Sequence, residues 1–242
     1  MSNQIGSKAL AALNTGAPRP DQQACGRHRL LMFSGGRDST LAAVRMARDA
    51  LPLALVTVSS SHLVGIERVK ARLSELAGRL DDSTPWLHVR QPAELRTDTS
   101  FYARTCLPCH HAYVVVSGVL ARSIGADRLA FGYTGYQQDW PEQTPLAVAR
   151  LSSVLERHGI TLELPVYEVA SKEASIAELS AFGLSTEALE QKCLRQVSNV
   201  ALPDDQLRSQ VELWESAIDR SLARLDDIGL DILERCTVGD FR

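Results

Sequence analysis

Ser34, Gly35, Gly36, Asp38, Ser39 and Thr40 bring hydroxyls, a carboxylate and two adjacent glycines into one short stretch, Ser34–Thr40. Glycine lets backbone close on oxygen atoms, and the hydroxyls add donors, so the turn suits a phosphate group. Asp38 is the odd member. A carboxylate beside a phosphate is repulsive unless a divalent cation lies between them or the group orients the turn, which points to a magnesium nucleotide. A second set is Cys106, Cys109 and Cys193. Cys106-x-x-Cys109 at a helix start suits thiolates, because the helix N-terminus stabilises the anion. Such thiolates bind metal, carry a persulfide or cycle through a disulfide. Three thiolates with one open iron would hold a 4Fe-4S cluster; closed structural zinc needs four ligands, with His110 or His111 as the fourth. Cys25 and Cys236 sit in terminal segments and read as incidental.

The elements that must position these groups follow from hydrophobic periodicity. Arg29–Phe33 reads as a buried strand running into the turn, and Ser39–Ala50 as the helix that leaves it. Further strands are expected at Leu53–Val58, Trp86–Val89, Arg128–Phe131 and Leu162–Pro165. Helices are expected at Gly65–Leu80, from Cys106 through Ile124, at Thr144–Gly159 and at Ser171–Phe182. Five strands alternating with helices specify an α/β, doubly wound, Rossmann-like five-stranded parallel sheet. Ser185–Leu194, with Cys193, reads as helical. Pro203–Ile228 reads as a long amphipathic helix, with Leu230–Cys236 continuing helical to the end. The expected organisation is an N-terminal arm (1–28), a nucleotide domain (29–200) and a helical C-terminal extension (201–242). The apolar stripe Leu207, Val211, Trp214, Ile218, Leu222 and Leu225 either covers the core or meets a second subunit, and a homodimer is the expectation.

Ligands collect at the C-terminal edge of such a sheet. Ser59 ends the second strand there and is an expected adenosine contact. Gly132–Asp139 leaves the fourth strand at the same edge, with Gly132 beside the nucleotide and Tyr133, Tyr136 and Asp139 as a substrate loop. His88, on the third strand, reads as structural.

The chain of 242 residues is 45% hydrophobic and carries a net charge of −3. A slightly acidic chain argues against gripping a folded RNA, which calls for basic surface. No apolar run reaches membrane-spanning length, and the N-terminus lacks a basic-then-apolar signal pattern, so a cytoplasmic protein with no membrane partner is expected. Five cysteines, odd in number and unevenly spaced, do not read as a disulfide framework.

Ser34-Gly-Gly-Arg-Asp-Ser-Thr resembles the SGGxDS signature of the PP-loop ATP pyrophosphatases, the adenine nucleotide α-hydrolase superfamily. It is not the longer loop of the P-loop NTPases. Two families within the superfamily are similar. The tRNA 2-thiocytidine synthetases share the layout of a PP-loop, a Cys-x-x-Cys opening a downstream helix, and a further cysteine completing an iron–sulfur cluster. Their Gly-His-x-x-Asp-Asp element is replaced here by Gly132-Tyr133-Thr134-Gly135. The 7-cyano-7-deazaguanine synthases resemble the second half better, in Gly132, Tyr136, Asp139, Pro141 and Glu142 and in Pro165 followed by Ser171-Lys172-x-x-x-Ile176. Their C-terminal zinc cysteines are missing. By this resemblance Lys172 approaches ATP phosphates.

The resemblance implies that ATP adenylates a carbonyl oxygen, pyrophosphate leaves and a nucleophile displaces AMP. Sulfur is the expected nucleophile, because ammonia would need none of Cys106, Cys109 and Cys193. The expectation is an ATP-dependent sulfurtransferase with ATP, Mg2+ and an iron–sulfur cluster, or zinc, as cofactors. Its acceptor is a small nucleobase-like molecule rather than tRNA, and a sulfur donor such as a cysteine desulfurase is its partner. The alternatives are a deazaguanine synthase-like amide- or nitrile-forming enzyme, a tRNA thiolation enzyme, and a nucleotide-binding module without turnover.

Overall fold

A computed structural model of the protein describes residues 28–96, 105–195 and 200–242. The N-terminal arm and Cys25 lie outside the described residues, apart from His28. Strand β1 (His28–Met32) leads through the glycine turn into helix α1 (Arg37–Met46). Strand β2 (Leu53–Ser59), the short β3 (Leu63–Val64), α2 (Ile66–Leu76) and β4 (Pro85–Arg90) follow. Next come α3 (Leu107–Ile124), β5 (Ala126–Phe131), α4 (Pro145–Arg157) and β6 (Thr161–Glu163). The chain closes with α5 (Lys172–Ala181), β7 (Lys192–Cys193), α6 (Asp204–Leu222) and β8 (Asp231–Thr237).

The main sheet has the order β6-β5-β1-β2-β4-β8. The five expected strands run parallel to one another. Alternate side chains of each strand enter opposite layers, as the period of two requires. Leu30, Met32, Val56, Val58, Leu87 and Val89 pack under α3, α4 and α6. Leu31, Phe33, Leu55 and Trp86 pack under α1, α2 and α5. Strands β2 and β4 extend one way from β1, and β5 and β6 the other. The sheet therefore switches direction between β1 and β5, where open α/β sheets bind ligands.

Two expectations fail. Leu230–Cys236 is not helical: β8 runs antiparallel to β4 as a sixth strand, pairing Trp86 with Cys236 and Val89 with Ile232. Its residues alternate, with Ile232, Glu234 and Cys236 turned inward and Leu233 and Arg235 exposed, a period of two that outweighs helical propensity. Cys236 is accordingly a sheet residue. Ser185–Leu194 is also not helical. It is an extended strap whose last residues form β7, paired with β3 through Leu63 and Cys193. Its carbonyls bond to arginine side chains instead of helical amides, a tertiary override of local propensity.

The stripe Val211, Trp214, Ile218, Leu222 and Leu225 is buried within the chain against α3 and α4, so it covers the core. Among the described residues, no helix is long and apolar enough to cross a membrane.

Candidate functional site

The turn after β1 is held by its own hydroxyls. Gly36 N donates to Ser34 Oγ (3.2 Å), Ser34 Oγ lies 3.0 Å from Ser39 Oγ, and Thr40 Oγ1 donates to Gly36 O (2.7 Å). Gly35 takes φ 80°, a conformation that favours glycine. The first amides of α1 follow at once, so an unsatisfied helix N-terminus opens on the turn.

Gly132 fixes the second wall. A Cβ there would lie 2.7 Å from Ser39 N and 2.8 Å from Ser39 Cα, so only glycine lets the end of β5 close on the turn. The loop beyond returns to the same place. Tyr136 donates its hydroxyl to both oxygens of Asp38 (2.8 and 2.7 Å), Ser175 Oγ donates to Oδ1 (3.0 Å) and Gln137 Nε2 to Oδ2 (3.3 Å). Asp38 thus ties α1 to the Gly132–Asp139 loop and to α5. Burial raises its pKa, and the bonds from Tyr136 and Ser175 oppose that rise. With each oxygen already accepting from protein donors, Asp38 acts in this structure as the group that orients the turn.

The other expected ATP contacts are less direct. The Ser59 hydroxyl is taken: it donates to Gln191 Oε1 (2.5 Å) and lies 2.7 Å from His88 Nε2. Lys172 is exposed at the start of α5, three residues before Ser175 and therefore on the same face. In the proposed substrate loop, Tyr133 is buried at 3% exposure, with its hydroxyl 2.7 Å from His110 Nδ1, so it does not face a substrate. Asp139 is exposed and Tyr136 is occupied by Asp38.

The cysteines lie on elements linked through His62 and Leu63, with Cys193 paired to Leu63 on β3. Cys106 caps α3, Cys109 lies in its first turn, and Cys193 on β7 is exposed. Each of Cys106 and Cys109 lies within electrostatic reach of Cys193. The expected low-pKa thiolates are not found. Burial first, then neighbouring charges, pushes Cys106 well above the ordinary thiol range and Cys109 up to about 11, so desolvation outweighs the helix N-terminus. His62 Nε2 stands 3.3 Å from Cys109 Sγ.

Three thiols so placed are a donor set suited in kind to a three-thiolate iron–sulfur cluster. Among the described residues, however, no three His, Cys, Asp or Glu side chains converge as a metal-binding group. Closed zinc fits less well: His110 is engaged by Tyr133 and lies near Glu142, and His111 is engaged by Ser221. No step is therefore routed through a metal.

Several site residues carried no sequence signal of their role. Glu142 is 1% exposed, its Oε2 has no hydrogen-bond partner, its Oε1 lies 3.6 Å from His110 Nε2, and burial pushes its pKa up to about 7. Burial pushes His110 down to about 3, so that ring is neutral. Ser175 and Gln191 act through contacts distant in sequence, and His62 reaches Cys109 as well as its neighbour Ser60.

No protein-family model and no curated protein matches the sequence. Solved structures do. A 4-thiouridine synthetase, solved as an RNA complex with bound ATP, matches at TM-score 0.57 and 15% identity over 86% of this chain and 55% of its own. This chain thus spans about half the length of that protein. A U34-tRNA thiolase from Methanococcus maripaludis, with its 4Fe-4S cluster, matches at TM-score 0.49 and 13% identity over 91% of this chain and 78% of its own. An NMN synthetase from Francisella tularensis matches at TM-score 0.48 and 11% identity over 89% and 93%. The first match shows the fold; the looser two add no argument.

Proposed function

We propose that this chain, which carries the fold of the PP-loop ATP pyrophosphatases, is an ATP-dependent sulfurtransferase acting on a nucleobase-like carbonyl. The observation that carries the reading is a single strap. Leu189 and Glu190 lie against the phosphate turn, and Cys193, three residues on, pairs with Leu63 of β3, whose neighbour His62 stands 3.3 Å from Cys109 Sγ.

In this reading the amides and hydroxyls of Ser34–Thr40 hold the pyrophosphate of ATP, with Lys172 at its flank. The acceptor oxygen attacks the α-phosphorus and pyrophosphate leaves. A sulfur nucleophile then attacks the activated carbon and AMP leaves. Preorganised donors stabilise the departing charge, and the turn keeps the phosphorus in line with the acceptor. A donor persulfide passes its outer sulfur to one of Cys106, Cys109 and Cys193 and leaves as a thiolate; the persulfide so formed is the nucleophile. A second of the three thiols then cleaves its S–S bond to free the thiolated product, and an external thiol reduces the disulfide left behind. A nitrogen nucleophile would leave all three without a task. The acidic balance favours a small-molecule acceptor over tRNA.

Cys106→Ala and Cys109→Ala variants test the division of labour. They should still release pyrophosphate from ATP with a competent acceptor yet transfer no sulfur; full thiolation by either variant would refute the role of the cysteines.

A further inference from the structure

The strap between α5 and β7 is fastened along its length. Arg72 donates to Ser185 O (2.8 Å) and Glu187 O (2.5 Å), Arg37 to Thr186 O (3.1 Å), and Arg68 to Ala188 O and Glu190 O. Gln191 bonds Val58 O (3.2 Å) as well as Ser59. One of these anchors, Arg37, belongs to the phosphate turn itself.

Within this fastened segment one group is unsatisfied. Glu190 Oε2 is shut from solvent and has no hydrogen-bond partner. Its carboxylate lies directly against the turn: a Cβ on Gly36 would meet Oε2 at 3.1 Å and Cδ at 3.6 Å. Leu189 O lies 3.0 Å from the corresponding position on Gly35. An ionised oxygen without a donor is costly, and phosphate oxygens arriving at the same turn add like-charge repulsion at close range. An anion entering the turn would therefore meet this carboxylate at Gly36.

We propose that Glu190 is a positioning residue that couples nucleotide binding to Cys193: ATP entering the Ser34–Thr40 turn displaces the Glu190 carboxylate from Gly36, and the displacement shifts Cys193. The link is short. Gln191 and Lys192 separate the two residues, Lys192 and Cys193 pair with the two-residue strand β3, and Leu194 N bonds His62 O (2.8 Å). The sulfur-bearing end of the strap therefore registers occupancy of the phosphate end. This inference rests on the reading that the turn binds ATP.

The test uses full-length wild type and Glu190→Gln, with ATP affinity measured by calorimetry and Cys193 alkylation by N-ethylmaleimide followed by mass spectrometry, each with and without ATP. Glu190→Gln should bind ATP about tenfold more tightly, since a neutral amide removes the repulsion. Saturating ATP should change the Cys193 alkylation rate about fivefold or more in wild type and less than about twofold in the variant. Glu190→Asp, which keeps the charge but withdraws it, should fall between them and serves if the glutamine variant folds poorly. Equal ATP affinities, or equal changes in Cys193 labelling as direct shielding or a bridging cation would give, overturn the coupling alone. Absence of ATP binding to any of these proteins overturns the reading of the turn and the coupling with it.

Discussion

The Tyr136 hydroxyl lies 2.7 Å from Oδ2 and 2.8 Å from Oδ1 of Asp38, joining the loop after β5 to the first turn of α1. Two segments far apart in sequence are thereby held as the two walls of one crevice. Tyr136→Phe keeps the ring and removes the donor, leaving a half-buried carboxylate with weaker support. We expect ATP affinity to fall about five- to tenfold, the equivalent of about 1–1.5 kcal/mol, with little change in thermal stability. Calorimetric titration and a melting curve check both parts.

Gly132 is the tighter constraint. A methyl group there meets backbone atoms of Ser39 at 2.7 and 2.8 Å, and backbone cannot swing aside like a side chain. Gly132→Ala should shift the start of α1, weakening ATP binding by more than about tenfold and costing about 1–3 kcal/mol of stability. ATP titration against a denaturant midpoint measures the two effects.

Glu142 makes stability depend on pH. Its folded pKa, about 7, lies above its ordinary value of 4.5, so the native state holds a proton that the unfolded chain has released. Its contribution is fully present below about pH 4.5 and is lost as pH rises to about 7. The range corresponds to about 3 kcal/mol. Glu142→Gln should gain stability relative to wild type by up to that amount between pH 4.5 and 8, read from denaturant midpoints at several pH values. A constant difference across the range would contradict the assignment.

Trp214 tests whether the C-terminal segment belongs to the core. It is fully buried on α6 among Val211, Ile218 and the α3 and α4 side chains. Trp214→Ala should cost about 3–5 kcal/mol, seen as a large drop in melting temperature, whereas a separate extension would leave the transition of the sheet intact.

The sheet was legible because its strands are continuous apolar runs, Leu53–Val58 above all, and buried parallel strands have that composition. The turn after β1 was legible because its features are local: glycines, hydroxyls and a helix start are adjacent in sequence. Side-chain partners were not. Nothing near Asp38 announces Tyr136 or Ser175, and nothing near Ser59 announces Gln191 and His88. The strap failed for a related reason. Thr186–Leu194 has helix-forming residues, but Arg37, Arg68 and Arg72, all from the first third of the chain, supply its carbonyls with donors that local pattern cannot show. In β8 the signal was present as the alternation of Ile232, Glu234 and Cys236, yet the preceding helix invited its continuation. The cysteines were grouped by type alone, and their ionisation depends on burial, which sequence spacing does not report.

The central claim is that ATP breaks between its α- and β-phosphates to activate a carbonyl oxygen. The most direct measurement is the nucleotide product formed in the presence of candidate acceptors, small nucleobase-like carbonyl compounds and unmodified tRNA, with phosphorus resonance or chromatography separating the products. The account predicts AMP and pyrophosphate in equal amounts with a competent acceptor, lost on Gly132→Ala. ADP and inorganic phosphate, or no turnover of tightly bound ATP with any acceptor, would contradict it.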